Sequence, residues 1–178
     1  MAYFFFRWMV PVSDRSSVRL KGTFKNTLKN TLLASLDEEI AAAIDAARQA
    51  QETASHEDNK PENQYDTLAL EAAYLAHGQS ERIRELQETR IRIAQWPLPD
   101  FCADDAITTG ALIQLANAGG GERWLWIAPV GGRQLQVDDK TVQVISPQAP
   151  LAVMLRQMGV GDEVSLGNDS GWEIVQLY

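Results

Sequence analysis

His56-Glu57-Asp58-Asn59-Lys60-Pro61-Glu62-Asn63-Gln64-Tyr65-Asp66 separates two long stretches whose apolar residues recur at helical spacing. It carries four acids against one lysine and holds the only proline between Pro11 and Pro97. Upstream, Leu28, Leu32, Leu36, Ile40, Ile44, Ala47, Ala50 or Gln51, and Ala54 fall three or four apart. That spacing lines one face of a helix. Downstream, Tyr65, Leu68, Ala72, Leu75, Gln79, Ile83, Leu86 and Ile91 or Ile93 form a second stripe. Two helices joined by a short polar turn predict an antiparallel coiled-coil hairpin over 27–96, its tip near 56–63. The stripe changes from leucine to alanine toward the turn, so the helices are expected to approach most closely there. Gly78 interrupts the second helix at a cost of about 1 kcal/mol against alanine. Glu81, Glu85 and Glu88 alternate with Arg82, Arg84 and Arg92 on its outer sides, as on a solvated coiled-coil face.

Pro97-Leu98-Pro99-Asp100 ends the second helix and marks a domain boundary. Beyond it the pattern turns to short strands. Ala111–Leu115 and Glu122–Ile127 flank the Asn117–Gly121 loop, and residues 133–137 and 141–145 read as a tight hairpin. Residues 149–158 form a short amphipathic helix, and two further strands start near Glu163 and Trp172. The fold class is therefore α+β, a helical hairpin followed by a small antiparallel sheet domain over 97–178 with one short helix. Residues 1–26 are left as a basic arm, expected to be poorly ordered. The apolar start to Val10 is too short to span a bilayer and has Arg7 within it, a poor signal peptide.

The net charge of −8 is unevenly spread. Residues 1–30 hold six Lys/Arg and one acid, residues 31–96 six and thirteen, and residues 97–178 four and ten. Two acidic domains are a poor surface for free nucleic acid, whose binding draws on cations that displace counterions. A protein partner is the better expectation. The single cysteine, Cys102, excludes an internal disulfide and a cysteine metal cage, and fits a cytoplasmic setting.

Neither half shows a nucleophile beside a base. His56 and His77 make no ligand pair, and Gly119–Gly121 lacks the strand–turn–helix context and lysine of a phosphate loop. Trp124, Trp126 and Trp172 either line a pocket or fill a core. At the tip, Asn59-Lys60-Pro61-Glu62 reads as a capping box. Asn59 is the N-cap, proline lies in the first turn and Glu62 stands at N3. Its acids are also a candidate metal-assisting group.

Glu62-Asn63-Gln64-Tyr65-Asp66, with Glu81–Leu86 further on, resembles the coiled coil of bacterial Gre-type transcript-cleavage factors. Ser146-Pro147, Ala149-Pro150-Leu151-Ala152 and Gly159-Val160-Gly161-Asp162-Glu163-Val164 resemble the same family's C-terminal domain. The likeness covers about residues 28–178. It implies an FKBP-like C-terminal domain docked on RNA polymerase, with the coiled coil in the secondary channel. Asp58 and Glu62 would then assist the polymerase Mg²⁺ in cleaving backtracked RNA, the factor holding no cofactor of its own. Asn63, Tyr65, Pro150 and Asp162 would contact the partner. The resemblance further implies a monomer that meets nascent RNA only through the polymerase and does not bind membrane.

Two carboxylates are too few to hold Mg²⁺ alone, but they can complete a site that the polymerase and RNA supply. The chain departs from the family pattern at this place. Asn59 stands where an aspartate is usual, and the interval from Glu62 to Tyr65 is one residue shorter. Three readings follow: a polymerase-binding factor that stimulates cleavage, a channel-binding regulator that does not, and an FKBP-type prolyl isomerase. The first two are accessory factors rather than enzymes.

Overall fold

The computed structural model describes residues 15–54, 67–167 and 169–178, with side chains described for 22–52, 74–167 and 171–178. The first helix, α1, runs Arg15–Ala54 and the second, α2, Thr67–Gln95. At ~1.5 Å per residue, α1 is about 60 Å long. It starts well before Leu28, so Arg15–Asn26, read from sequence as part of a loose arm, is helical. Residues 17–36 carry no proline and a single glycine, Gly22, so no strong breaker stops the helix before the leucine stripe begins. The two helices run antiparallel: Lys29 pairs with the level of Ala94 and Trp96, Asp37 with Arg90, and Glu39 with Arg82.

The seam follows the leucine stripe. Leu28, Leu32, Leu36 and Ile93 are fully buried and Leu86 nearly so. Of the two candidates near the end of α2, Ile93 takes the seam and Ile91 faces out, 53% exposed. Farther from the sheet the seam thins. Ile40 and Ala43 are only partly buried against the core. Ile44 and Leu75, expected in the stripe, are 45% and 62% exposed. The reason is geometric. Two helices in contact bury only a narrow strip between them, and the sheet that covers the leucines does not reach this far.

The C-terminal part comprises β1 (Leu112–Asn117), β2 (Glu122–Ile127), β3 (Arg133–Val137), β4 (Lys140–Ile145), α3 (Pro150–Leu155), β5 (Glu163–Leu166) and β6 (Asp169–Leu177). One six-stranded sheet has the order β3-β4-β2-β1-β6-β5. It is mixed rather than antiparallel throughout, because β2 and β4 pair in parallel, Trp124 with Val142 through Ile127 with Ile145. The hairpin of β3 and β4 was legible, but not its placement. After β2 the chain passes over the β4 position to the edge and returns between. The crossing is held by backbone bonds from Ala128 N to Ile145 O and Gly132 N to Val144 O, both 3.0 Å. Gly131 is required there, since a Cβ on it would lie 2.4 Å from the Ser146 nitrogen.

Strand alternation sends each side chain to one of two cores. Leu112, Trp124, Trp126, Leu135, Val137, Val142 and Val144 face the helical hairpin and pack with its leucines. Ile113, Leu115, Leu125, Ile127, Trp172, Ile174 and Leu177 face the other way, covered by Ile107, Ala152 and Leu155. The three tryptophans thus fill cores rather than line a pocket. The sheet is a middle layer, with the hairpin root on one face and α3 on the other.

Candidate functional site

The region with most chemistry among the described side chains is the junction where the hairpin meets the sheet. It is built from charged residues that the helical stripes leave at the edges of the seam. Glu39 lies on α1 beyond the last fully buried leucine. Its Oε1 accepts from Arg82 Nη2 of α2 at 2.6 Å, and its Oε2 accepts from Arg133 Nη2 of β3 at 2.5 Å. Arg133 is only 18% exposed, which lifts this contact above an ordinary surface pair. It stands at the start of β3, just past the tight crossing at Gly131, and its Nη1 also reaches the Gly131 carbonyl at 3.4 Å.

Nearer the root of the hairpin, Arg90 grips Asp37 with two guanidinium nitrogens, Nε to Oδ1 and Nη2 to Oδ2, the latter at 3.0 Å. The Arg90 hydrogen bond, with its charge, holds the exposed Asp37 carboxyl below the usual carboxylate range. Such a fork favours one relative rotation of the helices, which a lysine in its place would not impose.

At the root, Lys25 is buried, and its ammonium donates to the carbonyls of Pro99 and, at 3.2 Å, Tyr178. The Phe101 ring lies 5.0 Å from it. Burial pushes the Lys25 amine down to about 8, partly opposed by the Asp100 charge. Lys29 donates to the Ala94 and Trp96 carbonyls at 2.9 and 2.7 Å, closing the free carbonyl end of α2. Phe24 meets Trp124 at 5.8 Å and Trp96 meets Trp126 at 5.5 Å. Helices and sheet are therefore joined by packing, by a buried cation and by a carboxylate shared between two arginines.

On the opposite side, Pro150 opens α3 and is exposed. Val153 and Met154, three and four residues on, share its face and are 47% and 40% exposed. Arg156 donates to the Pro147 carbonyl at 2.7 Å, tying the helix to the turn before it. Asp162 is exposed, yet its carboxylate is engaged. It accepts from the Gly159 backbone N–H at 2.8 Å, while the Asp162 N–H donates to Gly159 O at 3.1 Å. Asp162 thus shapes the Gly159–Asp162 turn into β5, which leaves Val160 40% exposed.

No protein-family profile matches the chain, and no curated protein matches it. Solved structures do. The crystal structure of the GreA factor homolog 1 (Gfh1) of Thermus thermophilus matches over 82% of this chain and 94% of its own, at 14% identity and a TM-score of 0.34. The crystal structure of Thermus aquaticus Gfh1 matches over 82% and 92%, at 15% identity and a TM-score of 0.33.

Of the residues singled out from sequence, Pro150 and Asp162 lie at the surface of the sheet domain. Asp58, Glu62, Asn63 and Tyr65 lie outside the described residues, as does His56. Among the described residues, no group of three or more His, Cys, Asp or Glu could hold a metal ion. No described helix is long and apolar enough to cross a membrane. Sequence reasoning missed the whole junction. Lys25 sits in the stretch taken as an arm, and Arg133 is far from Glu39 in the chain. One signal was present: Phe24, Leu28 and Leu32 carry the helical period back past Lys25, which places that lysine on the inner face.

Proposed function

We propose that this chain is an accessory factor of RNA polymerase. In this reading the sheet domain docks on the polymerase and the hairpin enters the secondary channel with Asp58 and Glu62 at its leading end. The observation that carries it is the position of the quoted motifs. Ser146-Pro147, Ala149–Ala152 and Gly159–Val164 form one continuous turn–α3–turn–β5 segment. That segment presents Pro150, Val153, Met154 and Val160 to solvent. Apolar side chains held outward by a short, hydrogen-bonded segment suit a docking surface. The hairpin suits a probe: it is long, thin, charged outside, and braced at its root.

The described residues offer binding and orientation. Any chemistry belongs to the polymerase, whose Mg²⁺ the tip acids would help to hold through carboxylate oxygens. Asn63 and Tyr65 would meet the channel wall, and Pro150 the docking site. Asp162 supports that surface by shaping its turn.

The test uses purified chain with bacterial RNA polymerase stalled in backtracked elongation complexes. Binding that is lost in a Val153→Glu/Met154→Glu variant, with shortening of the nascent RNA by the wild type, supports the full reading. Binding without shortening selects the regulator that occupies the channel without cleavage. No binding overturns the proposal.

A further inference from the structure

Glu39 of α1 has a carboxylate shared between the other helix and the sheet. Its position along the hairpin gives that sharing a consequence. The other ties from α1 to the C-terminal part run from Phe24 and Lys25 at the root through Leu28, Leu32 and Leu36, which pack on the sheet, and Glu39 lies beyond them all. Glu39 is 14 residues past Lys25, about 21 Å at 1.5 Å per residue. Past Glu39 the helices face each other across small residues, with Ala43 half-buried and Ile44, Tyr74 and Leu75 exposed. Apolar packing resists separation but lets surfaces slide and tilt, whereas a charged contact of fixed geometry at the outer end of the packed stretch holds a rod in one direction.

We propose that Glu39 is the outermost clamp, a positioning residue whose contact with Arg133 sets the direction in which the hairpin leaves the sheet domain. The Arg82 contact has a different effect. It joins Glu39 to α2, so that both helices are steered by the one link to β3. Loss of the Glu39 carboxylate leaves Arg82 and Arg133 facing each other without their shared anion, so attraction between hairpin and sheet becomes repulsion. The outer part of α1, from Glu39 to Ala54, is a lever of about 22 Å, and an angular play of roughly 10° would carry its end about 4 Å. The consequence for a polymerase active site rests on the proposed function; the direction itself is a property of the free chain.

The experiment therefore uses the free chain. Spin labels are placed at Ala50→Cys on α1 and Glu173→Cys on β6, in a Cys102→Ser background, and the distance distribution is read by pulsed electron resonance. The parent is expected to give one narrow distribution. Glu39→Ala and Arg133→Gln should each broaden it by several Å, with helicity by circular dichroism unchanged. Arg82→Gln should leave it narrow, because the link to β3 remains. Reversing all three charges, Glu39→Arg with Arg82→Glu and Arg133→Glu, should restore the narrow distribution. An unchanged distribution in Glu39→Ala and Arg133→Gln overturns the proposal. So does equal broadening in Arg82→Gln, which would place the effect within the hairpin. Failure of polymerase binding would leave these distances, and the inference, untouched.

Discussion

The indole of Trp96, the first residue beyond α2, lies 5.5 Å from that of Trp126 at the centre of the sheet, their planes inclined by 30°. This contact joins the chain's exit from the hairpin to the face of the sheet that the hairpin covers. Pro97 follows at once and cannot continue a helix, so the turn away from α2 and the stacking of Trp96 are set by adjacent residues. Trp96 is half-buried and Trp126 fully buried.

Trp96→Ala should therefore remove a partly buried aromatic and one member of a ring pair. The expected loss is about 2–3 kcal/mol, below the range for fully buried large aromatics because Trp96 is not fully enclosed. Denaturant unfolding followed by far-ultraviolet circular dichroism measures it. The near-ultraviolet signal of Trp126 should change in the folded variant. A loss well below 1 kcal/mol would mean that the two rings contribute little to holding hairpin and sheet together.

Lys25 predicts a dependence on pH. Its folded pKa, about 8, is below the ordinary 10.5 because burial penalises the ammonium. Between those values the unfolded chain holds the proton and the folded chain has released it, so this group makes stability rise with pH. Below about pH 8 both states are charged and the burial cost is felt in full. Lys25→Met keeps the length of the stem and removes the charge. The wild-type unfolding free energy minus that of the variant should increase from pH 8 to pH 10.5 and be flat from pH 6 to 7.5. Parallel curves across the whole range would remove the buried ammonium as the cause.

How much of this was readable from the chain depended on whether a feature was local. The hairpin was legible because leucines recur every three or four residues, and the break at Pro97 is absolute. The β3–β4 hairpin was legible from its alternation and short polar turn. The parallel pairing of β2 with β4 was not, because strand order depends on packing between distant segments. The junction was hidden for the same reason. Nothing near Glu39 distinguishes it from Glu38, and only the fold brings Arg133 to it. At the tip, Asn59-Lys60-Pro61-Glu62 reads first as a cap, and the chain alone does not separate that from a metal role because one glutamate serves either task.

The β3–β4 turn carries a strain that can be relieved. Asp138 and Asp139 have φ of 49° and 60°, so both central residues adopt the left-handed region. They sit between Val137 and Lys140, the last pair of the ladder, which is the geometry of a type I′ hairpin. Left-handed backbone costs an ordinary residue about 1–2 kcal/mol, less for Asp and Asn and nothing for Gly. Asp138→Asn with Asp139→Gly should raise stability by about 1 kcal/mol, read as a higher thermal midpoint. A lower midpoint would show that the aspartates make compensating contacts there.

Glu62 separates the two readings of the tip. Read as N3 of a capping box, it hydrogen-bonds back to the Asn59 N–H, a task glutamine performs as well as glutamate. Read as a helper of the polymerase Mg²⁺, it must supply an anionic oxygen, since Mg²⁺ is bound through carboxylates and water. Glu62→Gln keeps size and hydrogen bonding and removes only the charge. If the carboxylate serves the metal, the variant keeps its helicity and its polymerase affinity, while shortening of backtracked RNA falls at least tenfold. If Glu62 is a cap alone, Glu62→Gln matches the wild type in every assay. Glu62→Ala should then lower helicity, with stability falling by about 1 kcal/mol. Asp58→Asn gives an independent control, because Asp58 lies outside the capping box and its loss bears on the metal role alone.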